Sequence, residues 1–329
     1  MKSAEYKRLL PEIAYDCILR NTMAQVAYQE IIEEIYAELK SVENPGKVAT
    51  YIPELGNVSP DKFGVYLRTV AGETFHSGDS HELFSIQSIA KVLLLALAYK
   101  TIGIKLWERV GVEPSGNPFN SLVQLEYDSG IPRNPLINAG ALVVCDVLMS
   151  EFSDAPAELL TFIREITGNE KIDFNARIAN SEKENGYRNV ALSNFLKSFG
   201  NIHHDCEEVL DFYFKLCSIK MSCKDLADTF MFLANNGRSP DRKRNILTPS
   251  EAKRLNAIMM TCGFYDEAGD FSYRVGLPGK SGVGGGIVAV YPNNYSIGVW
   301  SPKLNEKGNS YLGIEFLERF TSETGLSIF

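Results

Sequence analysis

Hydrophobic and polar positions along the chain fall into three regimes. From about residue 10 to 40, Ile, Leu and Tyr recur at helical spacing among Glu and Lys, and the pattern stops near Asn44-Pro45-Gly46. This predicts an amphipathic helical arm. Thr50 to Gly56 is a loop punctuated by Pro53 and Gly56, where Tyr51 is a packing lid or a substrate contact. Phe63 to Val70 and Glu73 to His76 read as strands joined in a hairpin at Ala71-Gly72. Phe84 to Lys91 then runs into Val92 to Tyr99, apolar without alternation and rich in Leu and Ala, which predicts a helix buried on all sides.

From about Leu106 to Leu255 the pattern is mainly helical. The segment Gly130 to Gly140 leads into a helix through Val143, Val144, Val147 and Leu148, and Leu210 to Cys217 is a core helix. Asn180 to Asn189, polar throughout, reads as a solvated loop. The last third returns to strands, at Tyr273 to Val275, Gly282 to Tyr291 and Tyr295 to Ser301, and closes with a helix over Tyr311 to Gly325. Strands at both ends with helices between predict an α+β fold: one antiparallel sheet built from both ends of the chain, flanked by the terminal helices, with an inserted helical lobe. The boundaries expected are a helical arm over 1–45 and a catalytic domain over 46–329. Its sheet lobe is 46–85 and 270–329, and its helical lobe is 86–269.

Composition narrows the class. Hydrophobic residues make up 45% of the 329 and charged residues 22%, a globular balance. With 33 basic and 41 acidic residues the net charge is −8, and no Lys/Arg-rich block occurs, so neither nucleic acid nor a membrane is an expected partner. Residues 1–11 mix charge into every turn and do not resemble a signal peptide. The six cysteines are scattered without a Cys-x-x-Cys, which suits reduced thiols in the cytoplasm. No His, Cys or carboxylate spacing suggests a metal site, and no cofactor is expected.

The candidate chemistry lies in Ser88-Ile89-Ala90-Lys91. Residues i and i+3 share a helix face, so the hydroxyl and the amine can meet. Serine needs a base to become a nucleophile, and a lysine serves only when neutral, a state that burial and the positive end of a helix favour. Backbone N–H groups at the same helix start can hold an oxyanion. A buried hydroxyl beside a snorkelling lysine is the plainer reading of the same pair. A second copy, Ser250 to Lys253, follows Thr248-Pro249 and reads as a capped, solvated helix start. Gly279 to Gly286 is not a P-loop: Arg274 stands where the first glycine belongs, and Ile287 to Val290 reads as strand rather than helix. It suits instead the wall of a serine acyl-transfer site, Lys280 bringing charge and the glycines letting backbone donors approach a ligand.

Taken together, Tyr51-Ile52-Pro53, Phe84 to Lys91, Asn134 to Gly140, Ser181-Glu182 through Arg188-Asn189, Asp211-Phe212-Tyr213, Tyr265-Asp266 and Lys280 to Gly284 resemble the serine-dependent glutaminases, a branch of the β-lactamase/penicillin-binding-protein-like fold. Ala90 departs from a serine frequent in that family and touches neither Ser88 nor Lys91. The resemblance implies hydrolysis of the side-chain amide of free L-glutamine through an acyl-enzyme, with Ser88 as nucleophile, Lys91 as base, and Tyr265 and Tyr51 relaying protons. The N–H groups of Ser88 and Val283 would hold the oxyanion. Glu182 would pair with the substrate ammonium, and Asn138, Asn189 and Tyr213 with its carboxylate. A homo-oligomer, dimer or tetramer, is also implied. The competing expectations are another serine amidase or β-lactamase-like acyl-transferase, and a non-catalytic glutamine or glutamate sensor on the same fold.

Overall fold

The computed structural model describes residues 27–115, 122–240 and 243–329. The expected arm helix is present as α1 (Tyr28–Ser41), its Tyr28, Ile32, Ile35 and Leu39 turned inward at helical spacing; the part of that expectation over 10–26 lies outside the described residues. A hairpin of β1 (Gly64–Thr69) and β2 (Thr74–Gly78) follows, with Tyr66 opposite His76 and Gly72 at φ +95° in the turn, a conformation that favours glycine. Three strands from the C-terminal third complete the sheet: β3 (Gly279–Gly282), β4 (Gly286–Tyr291) and β5 (Tyr295–Trp300). Their order is β2-β1-β5-β4-β3, every neighbouring pair antiparallel, so the sheet is built from both ends of the chain as expected.

The pleat divides the core in two. Val65, Leu67, Ile287, Ala289, Ile297 and Val299 face the terminal helices, α1 and the last helix of the chain, Tyr311–Thr324. Tyr66, Val288, Val290 and Trp300 face the helical lobe. At the centre of that lobe is α2 (Ala90–Ile102), buried from Ala90 to Tyr99. Around it stand α3 (Asn138–Glu151), α4 (Ala155–Thr167), α5 (Ala176–Asn185), α6 (Tyr187–Ser198), α7 (Cys206–Cys217), α8 (Cys223–Ala234) and α9 (Pro249–Cys262). The capping expected at Thr248 is there as a full box with Glu251, and Pro249 opens α9.

Three readings are corrected. Tyr273 to Val275 is not a strand: α10 (Ala268–Arg274) runs through it, because Ala268, Phe271 and Val275 are buried at helical spacing while Tyr273 points to solvent. Arg274 anchors this helix by ion pairs to Glu315 and Glu318 of the terminal helix, α11 (Tyr311–Thr324). Asn180 to Asn189 is likewise not a loop but the end of α5 and the start of α6, with Asn175 capping α5 through the Ile178 N–H. The strand expected from Gly282 begins three residues earlier as β3 and is broken by a turn at Val283 to Gly285.

Candidate active site

Ser88 does not open α2 itself. It sits in the 3-10 turn Gln87–Ile89, just after the two-residue strand Phe84–Ser85 that pairs with Lys220–Met221. Gln87 has φ +50°, an uncommon and strained backbone for a residue with a side chain. Its amide donates to Ser85 Oγ (3.1 Å), and Ser85 Oγ donates to Cys217 O (3.0 Å). Against this segment lies the turn between β3 and β4. A Cβ on Gly282 would stand 2.4 Å from Ile86 O, and one on Gly284 2.1 Å from Ser85 O. The glycines are therefore required for backbone-to-backbone approach, which brings Val283 to the Ser88 turn.

Lys91, in the first turn of α2, is fully buried. Its Nζ donates to Asn138 Oδ1 (2.6 Å) and Leu136 O (3.4 Å), and Asn138 Nδ2 donates to Asn189 Oδ1 (2.9 Å). Burial lowers its pKa to about 8, against the upward pull of Cys217, Glu182 and Cys145. Lys280 is the second fully buried lysine, donating to Gly263 O (2.9 Å) and Ser281 O (2.6 Å). Burial and the charge of Lys91 push its pKa well down.

A cavity of about 490 Å³ opens above Ser88. Tyr51, Ser88, Asn138, Glu182, Asn189, Tyr213, Tyr265 and Val283 all line it; of the residues singled out from the sequence, Lys91 is off the wall but bonds Asn138 on it, and Lys280, expected as part of the wall, does not line the cavity. Glu182 is 6% exposed, and among the described residues its Oε1 has no hydrogen-bond partner. Burial raises the pKa of this carboxyl to about 7, opposed by a hydrogen bond with Gln87 and by Lys91. Tyr265 has φ +58° and its hydroxyl bonds the side chains of Ser88 and Ser281; burial still pushes its pKa up to about 12. Lys280 Nζ stands 4.2 Å from the centre of that ring. Tyr213 bonds Cys217, and Lys91 Nζ is 5.6 Å from its ring. Tyr51 is 57% exposed, yet burial raises its phenol, with Tyr265 and Glu182 adding to the rise. The two observations fit a ring that faces outward while its hydroxyl end enters the cavity.

The sequence did not single out Gln87, Cys217 or Ser281. For Gln87 the signal was present as a polar residue inside a segment that is otherwise buried on both sides. Cys217 is the other nucleophile type on the cavity wall, but burial raises its pKa to about 12 and leaves it a thiol at neutral pH. Ser88 thus has a depressed amine three residues on, in the first turn of the helix that follows it, and a phenol bonded to its hydroxyl, an arrangement suited to acyl transfer. The Ser250 copy lies exposed at the start of α9.

The sequence model of the glutaminase family matches residues 46–329. A glutaminase of Christiangramia forsetii is 56% identical over 92% of this chain and 99% of its own length, and one of Saccharophagus degradans is 56% identical over 93% and 100%. Among solved structures, a probable glutaminase superposes with a TM-score of 0.87 at 34% identity, covering 92% of this chain and 98% of that one. A protein named Mglu, solved in its glutamate form, gives 0.86 at 32%, covering 92% and 69%. On this match across nearly the whole chain, the protein belongs to the glutaminase family, amidohydrolases that convert glutamine to glutamate.

Proposed function

We propose that the protein hydrolyses free L-glutamine through an acyl-enzyme on Ser88, with Lys91 as general base. Ser88 Oγ attacks the side-chain carbonyl carbon and its proton passes to Lys91 Nζ. In its neutral form this amine has two N–H groups for Asn138 Oδ1 and Leu136 O, leaving its lone pair free. The N–H groups of Ser88 and Val283 hold the tetrahedral oxyanion. The carbon–nitrogen bond then breaks, and the nitrogen leaves as ammonia after gaining a proton relayed through Tyr265, with Tyr51 assisting. Water cleaves the resulting ester and releases glutamate, restoring the Ser88 hydroxyl.

The observation that carries the substrate assignment is Glu182, a buried carboxylate in the cavity whose Oε1 has no partner among the described residues. Such a group is costly unless a cation completes it, and the α-ammonium of a free amino acid supplies one. Asn138 and Asn189 spend one amide hydrogen at most on each other, so further N–H groups remain for the α-carboxylate, toward which the Tyr213 hydroxyl would turn from Cys217. The glutamate form of Mglu supports the same substrate class. The test is ammonia release from glutamine, asparagine, N-acetylglutamine and a glutaminyl peptide. Free glutamine alone should turn over at speed; equal rates on N-acetylglutamine would contradict the role of Glu182.

The same reading places the enzyme in the cytoplasm as a homo-oligomer. Among the described residues no helix is long and apolar enough to cross a membrane. Exposed Val123, Tyr127, Tyr187 and Phe199 offer apolar surface for self-association, which sedimentation would report as a dimer or tetramer against a monomer. Residues 1–45 are read as the arm and 46–329 as the catalytic domain, a boundary supported by where the family match begins.

A further inference from the structure

We propose that Asn134 is the positioning residue that aims the Leu136 carbonyl at Lys91 Nζ, and so fixes the direction in which this amine presents its lone pair. The inference rests on the role of Lys91 as general base proposed above.

Both acceptors of Lys91 lie on one short run of chain. Leu136 O and Asn138 Oδ1 stand 3.4 and 2.6 Å from its Nζ, at the entry to α3. Asn138 is already inside the helix, whereas Leu136 sits in the turn before it, and Ile137, the cap of α3, makes no side-chain cap hydrogen bond. Asn134 holds this turn. Its Oδ1 accepts the Leu136 N–H (3.0 Å) and the Ile137 N–H (3.1 Å), spanning Pro135, which has no N–H to give. The second of these bonds sets the carbonyl. The Ile137 N–H and the Leu136 C=O belong to one planar trans peptide, in which they point in opposite directions. With the N–H held on Asn134, the carbonyl faces away from it, and there Lys91 Nζ lies.

Asn134 is itself held from two sides. It is 1% exposed, and its Nδ2 donates to Glu113 O (2.9 Å). The segment carrying Glu113 runs alongside it, Gly111 N–H donating to Pro132 O (2.8 Å) and Glu113 N–H to Arg133 O (2.9 Å). On the other side its own carbonyl packs on the first turn of α3, where a Cβ on Gly140 would stand 2.0 Å from Asn134 O. A neutral Lys91 that gives one N–H to each acceptor has a lone pair of fixed direction, and losing one acceptor lets the amine rotate. The same carbonyl favours the protonated amine, because an ammonium donates more strongly than an amine. The other titratable groups around Lys91 are Cys145 on α3, Glu182 on α5, Tyr213 and Cys217 on α7, and Lys280 on β3. Their charges are unchanged in a variant that puts a neutral side chain at 134.

The test reads kcat/KM for glutamine from pH 6 to 10 in Asn134→Ala, Asn134→Asp and Lys91→Met, in the full chain and per folded enzyme, alongside thermal midpoints. Asn134→Ala should lower the plateau of kcat/KM by about tenfold or more and move its upper pH midpoint down by about half a unit or more, since an ammonium that loses an acceptor gives up its proton more readily. Asn134→Asp keeps an acceptor oxygen for both N–H groups and loses only the bond to Glu113 O. It should keep kcat/KM within about threefold, with its midpoint at or above that of wild type, because an added carboxylate favours the ammonium. A wild-type plateau and midpoint in Asn134→Ala overturn the inference. So does a loss of activity there with an unmoved midpoint, the result of a packing role alone, or a downward shift in Asn134→Asp equal to that in Asn134→Ala. Should Asn134→Ala fail to fold, Asn134→Ser decides on the same criteria: its hydroxyl reaches the N–H two residues on, at Leu136, and releases the one at Ile137. Lys91→Met separates the two levels. Its inactivity beside a wild-type profile in Asn134→Ala removes the part assigned to Asn134 and leaves Lys91 as base, whereas wild-type activity in Lys91→Met removes both.

Discussion

Lys91 gives the sharpest quantitative expectation, because its depressed pKa has a cause that can be seen and a sign that follows. The side chain is fully buried, and that burial outweighs the charges that would raise it, bringing it to about 8 from an ordinary 10.5. At pH 7 about one molecule in ten then carries a neutral lysine, against roughly one in three thousand at the ordinary value, a gain of about 300-fold in competent base. A base works deprotonated, so kcat/KM should climb as pH rises through about 8 and level off above it. From pH 6 to 9 the lysine alone gives a rise of roughly 90-fold. Glu182 adds to it, since a carboxyl raised to about 7 must ionise to hold an ammonium, and the slope below pH 7 should steepen accordingly. The assay is glutamate release from pH 6 to 10, on wild type, Lys91→Arg and Lys91→Met, each checked for folding by circular dichroism. The guanidinium keeps its proton throughout this range, so both variants should fall by about a thousandfold or more. A flat wild-type profile between pH 7 and 9, or an arginine variant that retains activity, would refute the general-base reasoning.

Further outcomes follow from other contacts. Glu182→Gln should raise KM for glutamine by about one to two orders of magnitude, the worth of a charge-assisted bond, with a smaller effect on kcat; an unchanged KM would contradict its pairing with the α-ammonium. Gly282→Ala puts a Cβ 2.4 Å from Ile86 O and must shift either the β3 turn or the Ser88 segment, so activity should drop by about 100-fold in a protein that still folds. Wild-type turnover in that variant would mean that the approach of Val283 to Ser88 is not needed.

What the sequence made legible follows from how strongly burial writes a pattern. The all-apolar run of α2 and the short, mostly apolar runs of β1, β4 and β5 could be read directly, because each is buried against a core on both sides. The failures cluster at the cavity. Residues 180–189 read as a loop because the buried positions of this stretch include the polar Ser181, Glu182 and Asn189, of which Glu182 and Asn189 face the cavity rather than an apolar core. The strand β3 is only Gly-Lys-Ser-Gly, too short for a period and with no apolar residue to mark it, although all four are buried. The 3-10 turn that holds Ser88 likewise depends on the φ of Gln87, which no residue type announces. The residues that line the wall were legible through their motifs, whereas the hydrogen bonds of Asn309 with Ser281 and Glu267 are assembled only by the fold.

The central claim is that an acyl group passes through Ser88, and peptide mapping of enzyme quenched in acid during turnover tests it most directly. The account predicts a glutamyl ester on the peptide containing Ser88 during turnover, which hydroxylamine intercepts as the γ-glutamyl hydroxamate and which is absent from Ser88→Ala. Hydroxamate formed at the wild-type rate by Ser88→Ala, or an acyl group mapped to Cys217, would contradict it.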